Sequence, residues 1–305
     1  MRKEAGDPIL EYREGKTYTQ WVHAAFDDTH TPIDTSDPRV LAWLIRRHGL
    51  EMTHLSRGSH IASIFSVAEI MAVLYARVLH VDPHRPDWPE RDRLILSKGH
   101  AGAAVYASLA ERGFFPVEAL RYHYADGSHL SGHVSHRGVR GVEFSTGSLG
   151  HGLPVGCGLA LGARMDHEDW YTYVVLGDGE CDEGSVWESA LQAGHFGLDH
   201  LIAVVDHNHM QSLDFCENTL KLEPFDQKWR DFGWHVLRVD GHDTDALEAA
   251  FHACKSHRGS PSIIIADTVK GKGVSFMEND ILWHYRTPQG EEYEAARREL
   301  EAHRP

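Results

Sequence analysis

The chain has 305 residues, of which 42% are hydrophobic, so it can bury the core of one large α/β domain or of two modest ones. Its 45 acidic and 30 basic residues give a net charge of −15, which argues against nucleic acid as the main partner, because phosphate backbones demand clustered Lys and Arg. The four cysteines lie far apart without a C-x-x-C pair, so neither a disulfide framework nor a cysteine zinc site is predicted.

The N-terminal sequence MRKEAGDPILEYREG is charged and lacks the apolar segment of a signal peptide, and no run of eighteen apolar residues occurs. We therefore expect a soluble cytoplasmic protein without a membrane partner. Residues 1–36 are polar and irregular, and we expect an arm that lies on a partner. Residues 37–285 are predicted to form one domain, and residues 286–305 a C-terminal helix and tail.

The first predicted helix begins at Asp37 and Pro38, since Asp is a favoured N-cap and Pro is favoured in the first turn. The apolar residues that follow have the spacing of one helix face. A second helix is predicted over about residues 66–79. The segment DRLILSKGHA, Asp92–Ala101, predicts a short strand and a turn, followed by a helix over about residues 102–112.

Further along the chain, apolar strands alternate with helices. A Gly- and Ala-rich helix follows the loop of residues 126–141, further helices include one over about 185–196, and a last helix spans about 290–302. The predicted strands are Tyr173–Leu176, Leu201–Val205, His235–Val239 and Ile263–Ala266. This alternation predicts an α/β fold with a doubly wound parallel sheet covered by helices on both faces.

Polar residues follow two of these strands directly. Asp178 stands between Gly177 and Gly179 at the end of one strand, and Asn208 follows the next. Ligands of open parallel sheets bind beyond the carboxyl ends of the strands, and carboxylate and amide oxygens suit Mg²⁺ or Ca²⁺ together with phosphate oxygens. The alternative is structural, with the Asp capping a helix and the Asn placed in a turn.

Gly177-Asp178-Gly179 followed by Asn208 resembles the thiamine diphosphate binding motif. Further stretches resemble the N-terminal, diphosphate-binding half of the transketolase family, in family order: DRLILSKGHA (92–101), GVEFSTGSLGHGL (141–153), GDGECDEGSVWESA (177–190) and VKGKGVSFMEN…WH (269–284). Together they cover roughly residues 40–285.

The resemblance implies thiamine diphosphate and Mg²⁺ as cofactors. Asp178 and Asn208, with the Met210 carbonyl, would ligate the metal. The residues implied to contact the cofactor are Gly147, Ser148, Leu149, Gly177, Asp178, Gly179, Asn208 and His100. Glu183 matches a family carboxylate at the subunit interface and is expected to be structural.

The resemblance also gives roles to four of the 24 histidines. His60, His100, His133 and His284 match family histidines that line the substrate channel and cofactor, where imidazole can move protons at neutral pH. A competing interpretation of HLSGHVSH places His129, His133 and His136 on one helix as zinc ligands, although the flanking Ser and Gly favour a loop.

Two segments depart from the family pattern. His151 stands where the family commonly has Gln, and residues 209–218 differ from the usual asparagine-rich loop.

In the family, a glutamate in a second, pyrimidine-binding domain activates the cofactor, and a third domain follows. The resemblance therefore implies one subunit of a split transketolase, active only in a heteromer, with two copies of each chain expected. The default reaction transfers a two-carbon ketol unit from a ketose to an aldose, either sugar or sugar phosphate. Alternatives are a 1-deoxyxylulose-phosphate synthase-like enzyme, the alpha chain of a 2-oxo acid dehydrogenase, and a non-catalytic metal-binding scaffold subunit.

Overall fold

The structure, a computed structural model, describes residues 34–305. Most of the predicted N-terminal arm therefore lies outside the described residues. The α-helices, in chain order, are α1 Pro38–Ser56, α2 Ile61–Ser66, α3 Ala68–Val73, α4 Gly102–Glu111, α5 Gly152–Met165, α6 Gly184–Phe196, α7 Cys216–Thr219, α8 Phe225–Asp231, α9 Thr244–Ser256 and α10 Glu291–Ala302. None of the helices within residues 34–305 combines the length and apolar character needed to cross a bilayer.

Five strands form one sheet. They are β1 Arg93–Leu96, β2 Thr172–Gly177, β3 Leu201–His207, β4 His235–Asp240 and β5 Ser262–Asp267. The spatial order is β1-β2-β3-β5-β4, and every neighbouring pair is parallel. All carboxyl ends therefore lie at one edge of the sheet, where the sequence predicts the ligand.

Helices cover both faces of this sheet, because its central strands are buried and apolar on both sides. In β2, Tyr173 and Val175 join the cluster built with α1–α4, α9 and α10, whereas Val174 and Leu176 join the cluster built with α5, α6 and α8. Successive side chains of a strand point to opposite faces, so one apolar run supplies both cores. The predicted doubly wound α/β fold is confirmed.

Both terminal helices of the described chain, α1 and α10, belong to the apolar cluster that contains Tyr173 and Val175. Asp37 caps α1 by accepting a hydrogen bond from the backbone N–H of Arg39 at 2.9 Å, as its sequence predicts. In α10, Ala296 and Leu300 are buried, and the Leu300 carbonyl accepts a hydrogen bond from Trp43 Nε1 at 2.8 Å. The C-terminal helix thus packs on α1.

The second helix differs from its prediction. It begins at Ile61 rather than near residue 66, breaks at Val67 between α2 and α3, and ends in a π-helical turn at Leu74–Val78. Ser66 lies inside the helical segment, and its hydroxyl donates to Asp206 Oδ2 at 2.6 Å. The segment is buried on all sides, so no apolar periodicity marks its true start.

Candidate active site

A cavity of about 250 Å³ lies at the carboxyl ends of the strands. Apart from Ser148, which is exposed, every residue predicted for the site lines this cavity. Those lining residues are His60, His100, His133, Gly147, Leu149, Gly177, Asp178, Gly179, Asn208, Met210 and His284. The structure therefore brings together groups that the sequence spreads over more than two hundred residues.

Asp178 and Asn208 reach the cavity from neighbouring strands, because β2 and β3 pair in register up to their ends. Asp178 Oδ2 accepts a hydrogen bond from the backbone N–H of His209 at 2.6 Å. Asn208 Oδ1 accepts one from the backbone N–H of Met210 at 3.2 Å. A carboxylate and an amide oxygen are thus anchored to the same short turn.

Asp178 is 2% exposed, yet no Lys, Arg or His of the described residues lies within ion-pair distance of its carboxylate. Burial raises the pKa of this carboxyl group, as expected when the charged form is poorly solvated. A bound divalent cation would supply the missing positive charge. Since carboxylate, amide and carbonyl oxygens are the ligands that Mg²⁺ prefers, Asp178, Asn208 and Met210 fit the predicted metal.

Two buried lysines line the same cavity. Lys98 and Lys270 are 1% and 2% exposed. Lys98 pairs with the buried Asp206 carboxylate, whereas Lys270 Nζ donates to the carbonyl oxygens of Met210 at 3.3 Å and Gln211 at 3.0 Å. Burial, aided by the Lys98 charge, lowers the pKa of Lys270 to about 8. Ammonium groups beside the oxygen ligands suit an anion such as a diphosphate.

The four predicted histidines form one wall around His60. From the His60 ring, the centroids of His284, His100 and His133 lie at 5.0, 5.1 and 5.6 Å. Burial lowers the pKa of all four, to about 4 for His60 and about 3 for His284. The imidazoles are therefore neutral at pH 7, and each can accept a proton on one nitrogen and donate one from the other.

Glu180 holds the cavity wall together and was not predicted as a site residue. It is 2% exposed. Its Oε1 accepts hydrogen bonds from Gly150 N at 2.9 Å and from the Ser97 hydroxyl, and its Oε2 accepts one from Gly177 N at 3.0 Å. Ser97 Oγ in turn accepts from Gly152 N at 3.0 Å. These bonds connect the loop that carries Leu149 to the ends of β1 and β2.

The two departures from the family pattern have different locations. His151 is exposed at the start of α5, and its Nδ1 lies 3.0 Å from a backbone carbonyl rather than in the cavity wall. Residues 209–218 form a tight reversal in which Met210 and Phe215 pair as an antiparallel bridge. This reversal places Gln211 against the cavity.

The zinc alternative is not supported. His129, His133 and His136 lie in a loop rather than on a helix, and among residues 34–305 they do not come together as a metal-binding group. His136 Nδ1 instead lies 2.7 Å from Ser145 Oγ.

Another group of potential ligands lies beside the cavity. The ligand atoms of His207, His209 and Asp267 lie within 4.8 Å of one another. Arg238, however, donates from Nε to Asp267 Oδ2 at 2.8 Å and from Nη2 to Oδ1 at 2.9 Å. Because the guanidinium engages both carboxylate oxygens, this group is an ion-pair network rather than a metal site.

Comparison with known proteins identifies the family. The family model for the thiamine diphosphate binding domain of transketolase matches residues 39–303. The chain belongs to the transketolase family. This confirms the resemblance seen in the motifs and the predicted thiamine diphosphate-binding fold.

Two relatives of this transketolase chain are subunits of similar length. The 6-deoxy-6-sulfo-D-fructose transketolase subunit SqwG of Clostridium sp. (strain MSTE9) is 45% identical over 85% of this chain and 94% of the relative. An apulose-4-phosphate transketolase subunit of Phocaeicola vulgatus is 38% identical over 84% and 90% of the two chains. These matches confirm the predicted transferase, an N-terminal transketolase subunit, over the other enzymes considered.

Solved transketolases share the fold over part of their length. The enzyme of Campylobacter jejuni superposes with a TM-score of 0.82 at 28% identity, over 87% of this chain and 42% of that one. For Leishmania mexicana the TM-score is 0.81 at 29% identity, over 87% and 41%. The chain thus spans about two fifths of the solved transketolases that it matches.

Sequence reasoning missed the groups that support the predicted residues. Lys98 and Lys270 stand inside the quoted motifs SKGHA and VKGKG, and Asp206 stands two residues before Asn208, so their positions offered a signal. Their burial and pairing could not be predicted from the sequence, because Lys98 and Asp206 are 108 residues apart in the chain.

Proposed function

We propose that this chain binds thiamine diphosphate and Mg²⁺ and, with a partner subunit, transfers a two-carbon ketol unit from a ketose to an aldose in the cytoplasm. The observation that carries the proposal is the shared cavity, which is lined by the Asn208 amide, the four histidines and a buried Asp178 carboxylate without an ion-pair partner among residues 34–305. The substrate class is a sugar or sugar phosphate.

Each group of residues has a part in this proposal. Asp178, Asn208 and the Met210 carbonyl would hold Mg²⁺, and Lys98 and Lys270 would face the diphosphate. When bound, thiamine diphosphate supplies the electron sink for making and breaking a carbon–carbon bond. The neutral histidines of the wall would accept and return the protons of sugar hydroxyl and carbonyl groups.

A partner is supported by three observations. The relatives are named as subunits, and the solved transketolases extend well beyond the part matched here. The outer surfaces of α5 and α6 expose Met165, Leu191 and Phe196, and they leave Gly158 open to space. Such an apolar surface fits a second chain, which would carry the activating glutamate. We propose a heterotetramer with two copies of each chain.

The test of the metal site is calorimetric titration of thiamine diphosphate into the assembled complex, with and without Mg²⁺. We expect binding heat that depends on Mg²⁺. Loss of a residue that only supports a metal ligand weakens metal binding by up to about 100-fold, so Asp178→Asn, which alters a direct ligand, should weaken cofactor binding by more than that. Asp231→Asn is the matched control, since Asp231 is exposed at the end of α8. Equal binding by the two variants would refute the metal assignment.

The test of the activity is ketol transfer by the chain alone and by the chain mixed with the pyrimidine-binding transketolase subunit that we propose as its partner. We expect turnover only from the mixture. Full activity of the isolated chain would exclude a split active site, whereas cofactor-free, inactive complexes would favour a scaffold subunit.

A further inference from the structure

Tyr285 occupies a distinctive place in the cavity wall. It directly follows His284 after the short 3₁₀ helix Ile281–His284, and it lines the same cavity as Asp178 and the histidines. Its ring centroid lies 4.7 Å from that of His284 and 6.1 Å from that of His60. Tyr285 therefore extends the histidine wall by one aromatic ring.

The exposures of the lining residues give the direction of the cavity. Asp178 and Asn208 are 2% and 4% exposed, and His284 is 8% exposed, whereas Tyr285 is 60% exposed. The strand ends thus form the floor, His60, His100 and His284 the middle, and Tyr285 part of the mouth, together with the exposed His133 and Gly147. Within residues 34–305 its phenolic hydroxyl has no hydrogen-bonding partner, so both the ring face and the hydroxyl are available to a ligand.

We propose that Tyr285 is a specificity-determining residue that contacts the distal carbons of a sugar substrate and favours chains of four or more carbons. The inference rests on the proposed function, which places the reacting end of the sugar at the histidines. A substrate that extends from His60 and His284 towards solvent brings its distal carbons near Tyr285, because this ring adjoins both histidines and borders the mouth of the cavity.

The chemistry of tyrosine suits this role. Its ring offers a flat apolar surface for the C–H groups of a sugar, and its hydroxyl can donate to or accept from a sugar hydroxyl. A two-carbon aldehyde ends before it reaches the mouth and gains neither contact. The contribution of Tyr285 therefore depends on the length of the substrate, unlike that of the deeper histidines.

The test compares acceptors of increasing length with the complex of this chain and its partner, loaded with thiamine diphosphate and Mg²⁺. Hydroxypyruvate serves as donor, and glycolaldehyde, D-glyceraldehyde, D-erythrose and D-ribose serve as acceptors. For Tyr285→Ala we expect the KM of D-erythrose and D-ribose to rise about tenfold, and that of glycolaldehyde to change less than about twofold. Tyr285→Phe, which keeps the ring, should show about a threefold rise.

The control is Leu282→Ala. Leu282 belongs to the 3₁₀ helix Ile281–His284 that precedes Tyr285, and it is 50% exposed. It is not among the residues that line the cavity, so all KM values should stay unchanged in Leu282→Ala. A second readout, independent of turnover, is the binding of ribitol to the complex by saturation-transfer NMR, which Tyr285→Ala should weaken.

The outcomes separate the two proposals. A KM change equal for all acceptors, or unchanged ribitol binding, would overturn the role of Tyr285. If ribitol binding depends on Tyr285 but the unmodified complex transfers no ketol unit, the proposed function fails while the ligand contact stands.

Discussion

Replacing Glu180 should expose how the cavity wall is held. Its carboxylate is surrounded by donors only, namely the backbone N–H groups of Gly150 and Gly177 and the hydroxyl of Ser97. Burial raises the pKa of this carboxyl group, and no ion pair with it occurs among residues 34–305. The isosteric amide in Glu180→Gln would place an NH₂ group against one of the two backbone N–H groups in either orientation.

The magnitude follows from counting donors that lose an acceptor. A buried polar group left without a partner costs about 1–3 kcal/mol, so Glu180→Gln should lower the free energy of unfolding by about 2 kcal/mol. Glu180→Ala leaves three donors without an acceptor but also removes a buried charge, which offsets part of the loss, and we expect about 4 kcal/mol.

The assay is thermal and urea unfolding of the purified chain at pH 7. For a chain of 305 residues, a loss of about 2 kcal/mol corresponds to a drop in Tm of about 3 °C. Glu188→Gln is the control, since Glu188 is exposed on α6 and should change stability by less than about 0.5 kcal/mol. If Glu180→Ala melts within about 1 °C of the unmodified chain, the hydrogen-bond count does not explain the stability of this wall.

Three further substitutions test other parts of the fold. Glu69 is buried against Arg46 at 2.5 Å and His242 at 2.9 Å; burial would raise its pKa, but the Arg46 charge and these hydrogen bonds lower it to about 2. A carboxyl group whose pKa is lower in the folded chain than in the unfolded chain stabilises the fold at pH values above the unfolded pKa. This contribution is lost as the pH falls towards the folded pKa. Glu69→Gln should therefore cost about 3 kcal/mol at pH 7 in urea unfolding, and the difference should shrink between pH 4.5 and 2; a constant difference would contradict the assignment. Gly194→Ala would bring a Cβ to 2.0 Å from the Phe232 carbonyl oxygen and should cost about 3 kcal/mol. Gly158→Ala would meet no atom of residues 34–305 within 4 Å outside its own helix, and it should stabilise the isolated chain by up to about 1 kcal/mol. Equal Tm changes for the two alanine variants would refute the packing argument.

The strands were the most predictable part of the fold. The four strands placed after residue 170 agree with the structure within one or two residues, because each is an apolar run bounded by Gly, Asp or other polar residues. The helical segment 61–78 was placed poorly, since nearly all of its residues are buried and periodicity carries no information there.

The candidate site was predictable where motifs carry it. Asp178, Asn208 and the histidines follow from short quoted stretches, and the cavity brings them together. Glu180 lies inside one of those stretches, but its role depends on contacts to residues 30 and 83 positions away. Such contacts follow from the packing of loops and not from local spacing.

The buried lysines place positive groups beside the carboxylates of Asp178 and Glu180, inside a chain that is acidic as a whole. The chain carries a net charge of −15, so a polyanion at a distance is repelled. Lys270, whose ammonium group pairs with no carboxylate among residues 34–305, attracts it after entry. Dissolved salt screens exposed charges over about 8–10 Å but acts weakly on buried ones. Moderate ionic strength therefore lowers the barrier to encounter without removing the attraction, which is the reverse of ordinary electrostatic steering.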